Sequence, residues 1–364
     1  MTSKRPSTPH FRLHSLPRHS PSGDGGFLSP PVTASEKTPT KAALIAGFAA
    51  IYLIWGSTYL GIRVVVETIP PFLMASLRFF VAGGLMTAYI AFTRGFKAQR
   101  HQWRDNAIIG GLLCLGGNGL VCWSEQKIPS GIATLIISVG PLFIVLLDWA
   151  AHAIFKDNRR GTRPTQLTFV GLALGFAGLA VLVGPGVLRQ GVGGLDGWSV
   201  LGLVGACLFW GIGMIYTKYA HDPVESFTGA AIQMLTGGGW LLLVSLLCGE
   251  PFRVNLGGIS ASSVFAWGYL VVFGSLIGFT TFVWLMKHST PARVSTYAYV
   301  NPIVAVFLGW LILHEPVSPR IFTASAIIIA GVAIITTQKN RKTLAIPPRQ
   351  AVACDEARSV TNSR

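Results

Sequence analysis

Ten stretches of this chain, each about twenty residues long, are apolar with few or no charged side chains: 42–62, 72–93, 106–124, 131–151, 166–184, 199–217, 227–248, 264–286, 291–313 and 321–338. A helix rises 1.5 Å per residue, so about twenty residues cross a hydrocarbon core about 30 Å thick. Barrel strands would instead read as shorter segments of alternating polarity. In lipid the backbone must satisfy its own hydrogen bonds, which leaves helices for runs of this kind. A soluble globule is excluded on charge: only 12% of residues are Asp, Glu, Lys or Arg, about half the usual share.

The net charge of +15 raises nucleic acid as a partner, but the basic residues sit in the tails and between the apolar runs, where topology explains them. With the N-terminus cytoplasmic, 23 of the 29 Lys and Arg fall inside and five (Arg63, Lys127, Arg189, Arg253, Arg320) outside, with Arg78 in a span. Such a bias predicts both termini inside, which requires an even number of spans. The expected fold is therefore an all-α polytopic membrane protein with ten transmembrane helices. Residues 1–41 and 339–364 read as basic, disordered cytoplasmic tails. The first lacks the h-region and cleavage site of a signal peptide; an over-called start codon is the alternative origin of its first residues. None of the five cysteines has metal-ligand spacing, so no metal and no cofactor is expected.

The two halves resemble each other. Trp55-Gly56 aligns with Trp210-Gly211, Arg78 with Gln233 and Gly83-Gly84 with Gly238-Gly239 at one offset. Gly117, Trp123, Pro141 and Trp149 align with Gly278, Trp284, Pro302 and Trp310 at a second. Ala177-Gly178 aligns with Ala330-Gly331 at a third. Five helices per half is an odd number, so the second copy enters the membrane from the opposite face. The reading is an inverted repeat, 42–184 and 199–338 joined by a loop at 185–198. Secondary transporters with such repeats bind substrate near the midplane, between the copies.

At this point the sequence resembles the EamA-type transporters of the drug/metabolite transporter superfamily. The residues that carry the likeness are Ile54-Trp55-Gly56-Ser57-Thr58-Tyr59, Pro70-Pro71 through Arg78-Phe79, Pro129-Ser130-Gly131-Ile132-Ala133 and Ser295 through Pro302. They look especially like the bacterial inner-membrane drug/metabolite exporters. The resemblance implies a multi-pass inner-membrane exporter of amino acids, other metabolites or toxic compounds, with a central cavity. Asp148 and His152 depart from the family by putting polarity late in the fourth run, and the basic N-terminal tail is also unusual.

Depth along the runs selects candidate cavity residues. Pro141 and Pro302 reach mid-membrane from opposite faces, and each frees a carbonyl four residues earlier, at Ile137 and Ala298. Asn301, Ser138, Tyr297 and Tyr299 lie beside them; each either lines a cavity or ties off backbone. Trp55 and Trp210 lie too deep for an interfacial belt and suit an aromatic wall or ordinary packing. Trp123, Trp149, Trp284 and Trp310 suit the belt. Ser57, Thr58, Tyr59 and Asn118 are further candidates for substrate contact or helix cross-links.

Arg78 lies inside a span and needs a partner. Glu125, Glu67 and Glu315 map to the same side, with Glu125 the first choice, so Arg78 and Glu125 are candidates for a charged gate or an ion pair. Asp148 is a candidate proton carrier, but it maps close to the cytoplasmic end, where it is expected to sit at the headgroups. No nucleotide-binding loop and no nucleophile–base arrangement is visible, so the chain is read as a non-enzyme. It is expected to move a small molecule across the lipid bilayer by alternating access between helices 1, 3, 4, 6, 8 and 9, with protons as a candidate coupling ion and no nucleic acid bound. A passive facilitator and a lipid-processing enzyme are the rival readings. Substrate and oligomeric state are not encoded legibly.

Overall fold

In a computed structural model of the chain, residues 39–155, 165–183, 196–219, 225–289, 294 and 296–344 are described. They belong to the unit Thr40–Arg364, apart from Pro39. The expected tail at 1–41 lies outside them except at its last three residues, as do most of the 185–198 loop and the chain beyond Leu344.

The described residues hold helices and turns, with no strand among them. Each of the ten apolar runs falls on a helix. These are α1 (Lys41–Val65), α2 (Pro71–Thr93), α3 (Arg100–Ser124), α4 (Ser130–Ile137 and Gly140–Phe155), α5 (Gln166–Val183), α6 (Gly197–Tyr219), α7 (Ser226–Leu247), α8 (Ala261–Tyr269, Leu270–Phe279 and Thr280–His288), α9 (Tyr297–Leu313) and α10 (Pro319–Leu344). Among the described residues seven helices are long and apolar enough to cross a membrane; the apolar parts described of α5, α9 and α10 are shorter. α10 runs six residues beyond the expected edge at 338, and α3 begins six residues before its apolar run. Backbone helicity does not stop where side chains become polar.

Helix starts show how the chain satisfies its orphan amides. α1 begins at Thr40, whose hydroxyl accepts from Ala43 N (3.2 Å). α2 and α4 begin after Pro70 and Pro129, which have no side-chain acceptor. Glutamates distant in sequence supply it. Glu250 accepts from Leu73 N (2.7 Å) and Phe72 N (3.3 Å). Glu315 accepts from Ser130 N (2.8 Å) and Gly131 N (3.2 Å). His314, left-handed at φ 54°, ends α9 and turns Glu315 towards α4.

The helices pack as matched pairs. α2 lies on α7 and α5 on α10. α1 packs on α8 and α9, while α6 packs on α3 and α4. Glycines permit the close approaches. A Cβ on Gly83 would sit 3.0 Å from Met234 Cβ, and one on Gly178 would sit 2.7 Å from Ile328 Cγ1. The core is continuous between these helices, with Met74, Leu135, Ile136, Leu203 and Met234 fully buried. Leu53, Tyr89, Trp149, Phe265 and Trp310 face outwards, a surface that suits lipid better than water.

Candidate functional site

α3 and α8 each change to π-helix midway, over Gly111–Gly119 and Leu270–Phe279. Such wide segments gather at functional sites. α4 breaks at the same level. Pro141 cannot donate to Ile137, and the helix opens at Ser138 and Val139 before resuming at Gly140. The freed carbonyl of Ile137 accepts from the Cys207 thiol of α6 at 3.7 Å. Pro302 instead lies within a continuous α9.

These irregular segments surround a partly open cavity of about 130 Å³. Trp55, Thr58 and Tyr59 line it from α1, and Asn118, Ser138 and Pro141 from α3 and α4. Trp210 of α6 and Tyr297, Asn301 and Pro302 of α9 complete the expected set on its wall. Residues scattered from Trp55 to Pro302 thus converge on one space.

The aromatic side chains form a cluster. Trp55 meets Trp210 edge-on with ring centroids 6.1 Å apart, Tyr297 edge-on at 5.0 Å and Phe282 at 4.9 Å. These spacings are those of favourable aromatic pairs. Trp55 leans on α8, where a Cβ at Gly278 would lie 2.7 Å from its Nε1. Trp210 leans on α3, where a Cβ at Gly117 would lie 2.8 Å from its Cε3. Phe282 also joins Ile51, Leu285 and Val294 in a small apolar core, and Tyr52 and Thr296 share a hydroxyl hydrogen bond.

Asn301 is 4% exposed and does both jobs open to it. It lines the cavity, and with its amide turned so that the nitrogen faces the two carbonyls it donates to Tyr297 O (3.1 Å) and Tyr52 O (3.2 Å), which ties α9 to α1. Thr58 donates back to Trp55 O at 2.7 Å. Ser57 is not on the wall; its hydroxyl donates to Ile54 O and meets Tyr269 of α8. Tyr299 lies in α9, with its side chain outside the described set.

Arg78 departs from the expected ion pair. It is 4% exposed and sits on the cavity wall, so α2 joins the six helices expected to build the site. Its Nε donates to Ser275 Oγ at 2.8 Å, and one terminal nitrogen reaches Asn118 Oδ1 at 3.5 Å. Glu125 is not its partner. That side chain is fully buried off the cavity, just past the end of α3, and neither carboxyl oxygen has a hydrogen-bond partner. Arg63 donates instead to the Glu125 backbone carbonyl. Glu315 is committed to α4, and Glu67 is exposed. Asp148, expected at the headgroups, is buried at 2% exposure.

Phe282, Phe279, Cys207, Thr134 and Gly274 also belong to the cavity or its aromatic wall and were not expected. The repeat could have found one of them: Cys207 stands opposite Tyr52 at the Trp55–Trp210 offset.

Comparison with known proteins agrees with this architecture. The EamA-like transporter family matches twice, over residues 41–184 and 197–337. The inner membrane transporter YedA of Escherichia coli K12, itself uncharacterised, is 36% identical over 81% of this chain and 91% of its own length. The uncharacterised transporter YoaV of Bacillus subtilis is 25% identical over 82% of this chain and 98% of its own. A protein of known crystal structure shares the fold, with a TM-score of 0.56 at 22% identity over 82% of this chain and 98% of that one. A lipid-processing enzyme finds no support in any of these. With both matches spanning most of its length and its apolar helices built to cross a bilayer, the chain belongs to the EamA-like transporter family of multi-pass membrane transporters.

Proposed function

We propose that the protein exports a small metabolite, or a drug-like compound, across the inner membrane by alternating access. Ten helices cross the bilayer as two inverted five-helix repeats, 42–184 and 199–338, with both termini cytoplasmic. The cavity between the repeats is the substrate site. One observation carries this reading: Trp55 packs on Gly278 while Trp210 packs on Gly117, so repeat-related residues exchange partners across the cavity. A pseudo-twofold axis in the membrane plane produces such an exchange. The matched helix pairs support it too. The inner-membrane location accords with the YedA relative, and the direction of transport rests on the family resemblance.

Among the described lining residues there is no carboxylate to carry a proton. Proton antiport and downhill facilitation are separated by an uncoupler: flux that survives it is uncoupled, and flux that it abolishes is proton-driven.

The test is an efflux screen. Cells producing the wild type, Asn301→Ala or Trp55→Ala are challenged with toxic amino acids, analogues and drugs, and release is followed. We expect protection by the wild type and its loss in both variants at equal membrane expression. Normal transport by both would remove the cavity assignment.

A further inference from the structure

We infer that Arg78 makes the cavity a receptor for an anionic substrate, a small molecule with one carboxylate and an apolar body. The inference rests on the transport reading above and narrows it to a substrate class.

Among the described residues lining the cavity, Arg78 is the one charged side chain. The described ion pairs join Arg94 to Glu225, Arg104 to Asp105 and Lys127 to Asp196, and none reaches it. A guanidinium has five donors in a planar fork. Ser275 takes Nε at 2.8 Å, and Asn118 stands at 3.5 Å from one terminal nitrogen, the limit of a hydrogen bond. The stem is braced as well, since the guanidinium carbon lies 5.0 Å from the Phe79 ring centroid. The group is therefore held in place from the Nε side, while its terminal nitrogens keep unused donors.

A buried cation without a counter-ion is costly, and intramembrane charges persist where function needs them. A carboxylate entering the cavity would supply the missing charge and fit the fork with two parallel hydrogen bonds. A doubly charged phosphate would over-compensate a single cation. A cation or a zwitterion would bring an ammonium for which the described wall has no acid. The rest of the wall sets the body of the ligand: Trp55, Trp210, Tyr297 and Phe279 offer aromatic faces and edges. The repeat breaks its symmetry at this point. Gln233 stands at the position equivalent to Arg78 and bonds to Asn106 at 2.8 Å, so the charge occurs once.

The experiment uses the purified full chain in nanodiscs. Three probes on one carbon skeleton, 3-phenylpropionate, its isosteric amide 3-phenylpropionamide and the cation 3-phenylpropylamine, are titrated against tryptophan fluorescence and thermal stability. The acid should bind the wild type at least about ten-fold tighter than the amide. Arg78→Gln should abolish that difference, and Arg78→Lys should keep part of it, because it keeps charge but loses the fork. Equal binding of acid and amide by the wild type overturns the proposal, as does no binding of the acid or unchanged acid binding by Arg78→Gln. Should Arg78→Gln fail to fold, the wild-type comparison decides alone. Counterflow in proteoliposomes separates this idea from the transport reading. Flux of the amide or amine without the acid leaves transport standing and removes the anion site. Acid binding without flux of any compound keeps the anion site and removes the reading of that site as the transport site.

Discussion

Glu125 shows what a single side chain can impose. It sits one residue past α3, fully buried, with both carboxyl oxygens unpartnered. Burial pushes its carboxyl well above the usual range, the Glu315 carboxylate adds to this, and Arg63 opposes it. The proton is thus held more tightly in the folded protein than in the unfolded chain. Stability from this group is complete below the ordinary carboxylate range and is lost as pH rises through the folded value. The melting temperature should fall with rising pH, and Glu125→Gln should flatten that fall. A profile as steep in Glu125→Gln as in the wild type would assign the pH response elsewhere. The gain should appear only at alkaline pH, where the wild type must bury a charged carboxylate and glutamine stays neutral. Arg78 and Glu125 look like a pair in sequence because both map near one face. In space Arg78 turns to Ser275 on α8, and Arg63 takes the Glu125 carbonyl.

Among the elements, α2 and α4 depend on caps delivered from afar. Both start after proline, and Glu250 and Glu315 close their first turns. Glu315→Ala leaves the first amides of α4 without their acceptor and should cost about 1–2 kcal/mol, the upper range for a lost cap. Hydrogen exchange at residues 130–133 should quicken, while α2 stays protected. Equal exchange in both proteins would show that water replaces the cap without loss. At the other end of that contact, His314 is the one described non-glycine residue with positive φ. His314→Gly should relieve the left-handed strain and raise stability by up to about 1 kcal/mol. A lower melting temperature would mean that the imidazole contributes more than the backbone strain removes.

Over the whole molecule, the exchange of tryptophans between the halves makes a paired prediction. Gly117→Ala and Gly278→Ala would each push a methyl into a tryptophan of the other half, at 2.8 and 2.7 Å. Overpacking of this kind costs about 1–3 kcal/mol. If the halves are related by a twofold axis, the two variants should lose stability by similar amounts, and both should lose transport. Gly84→Ala, with nothing within 4 Å, serves as the neutral control. A large loss in one variant and none in the other would show that the two contacts are not equivalent. The same arrangement explains why α2 was missed as a cavity helix. Its apolar pattern is uniform, so no face is marked, and only packing on α7 and α8 turns Arg78 inwards.

The one-dimensional facts were legible without coordinates. Run length and the scarcity of charge gave helices where α1 to α10 lie, because a bilayer-spanning helix is a local structure that satisfies its own backbone. The prolines at 141 and 302, the tryptophans at 55 and 210, and Asn301 could be placed at depth by counting residues, and all line the cavity. What the tertiary structure alone decided was orientation and partnership. A helix that is apolar all round does not say which face is inward, so Ser57 turned out to serve α8 and Arg78 the cavity. Caps from Glu250 and Glu315, and the thiol of Cys207 on the Ile137 carbonyl, join residues far apart in the chain. Such partners are chosen by which helices come into contact, and that choice belongs to packing rather than to any local stretch of sequence.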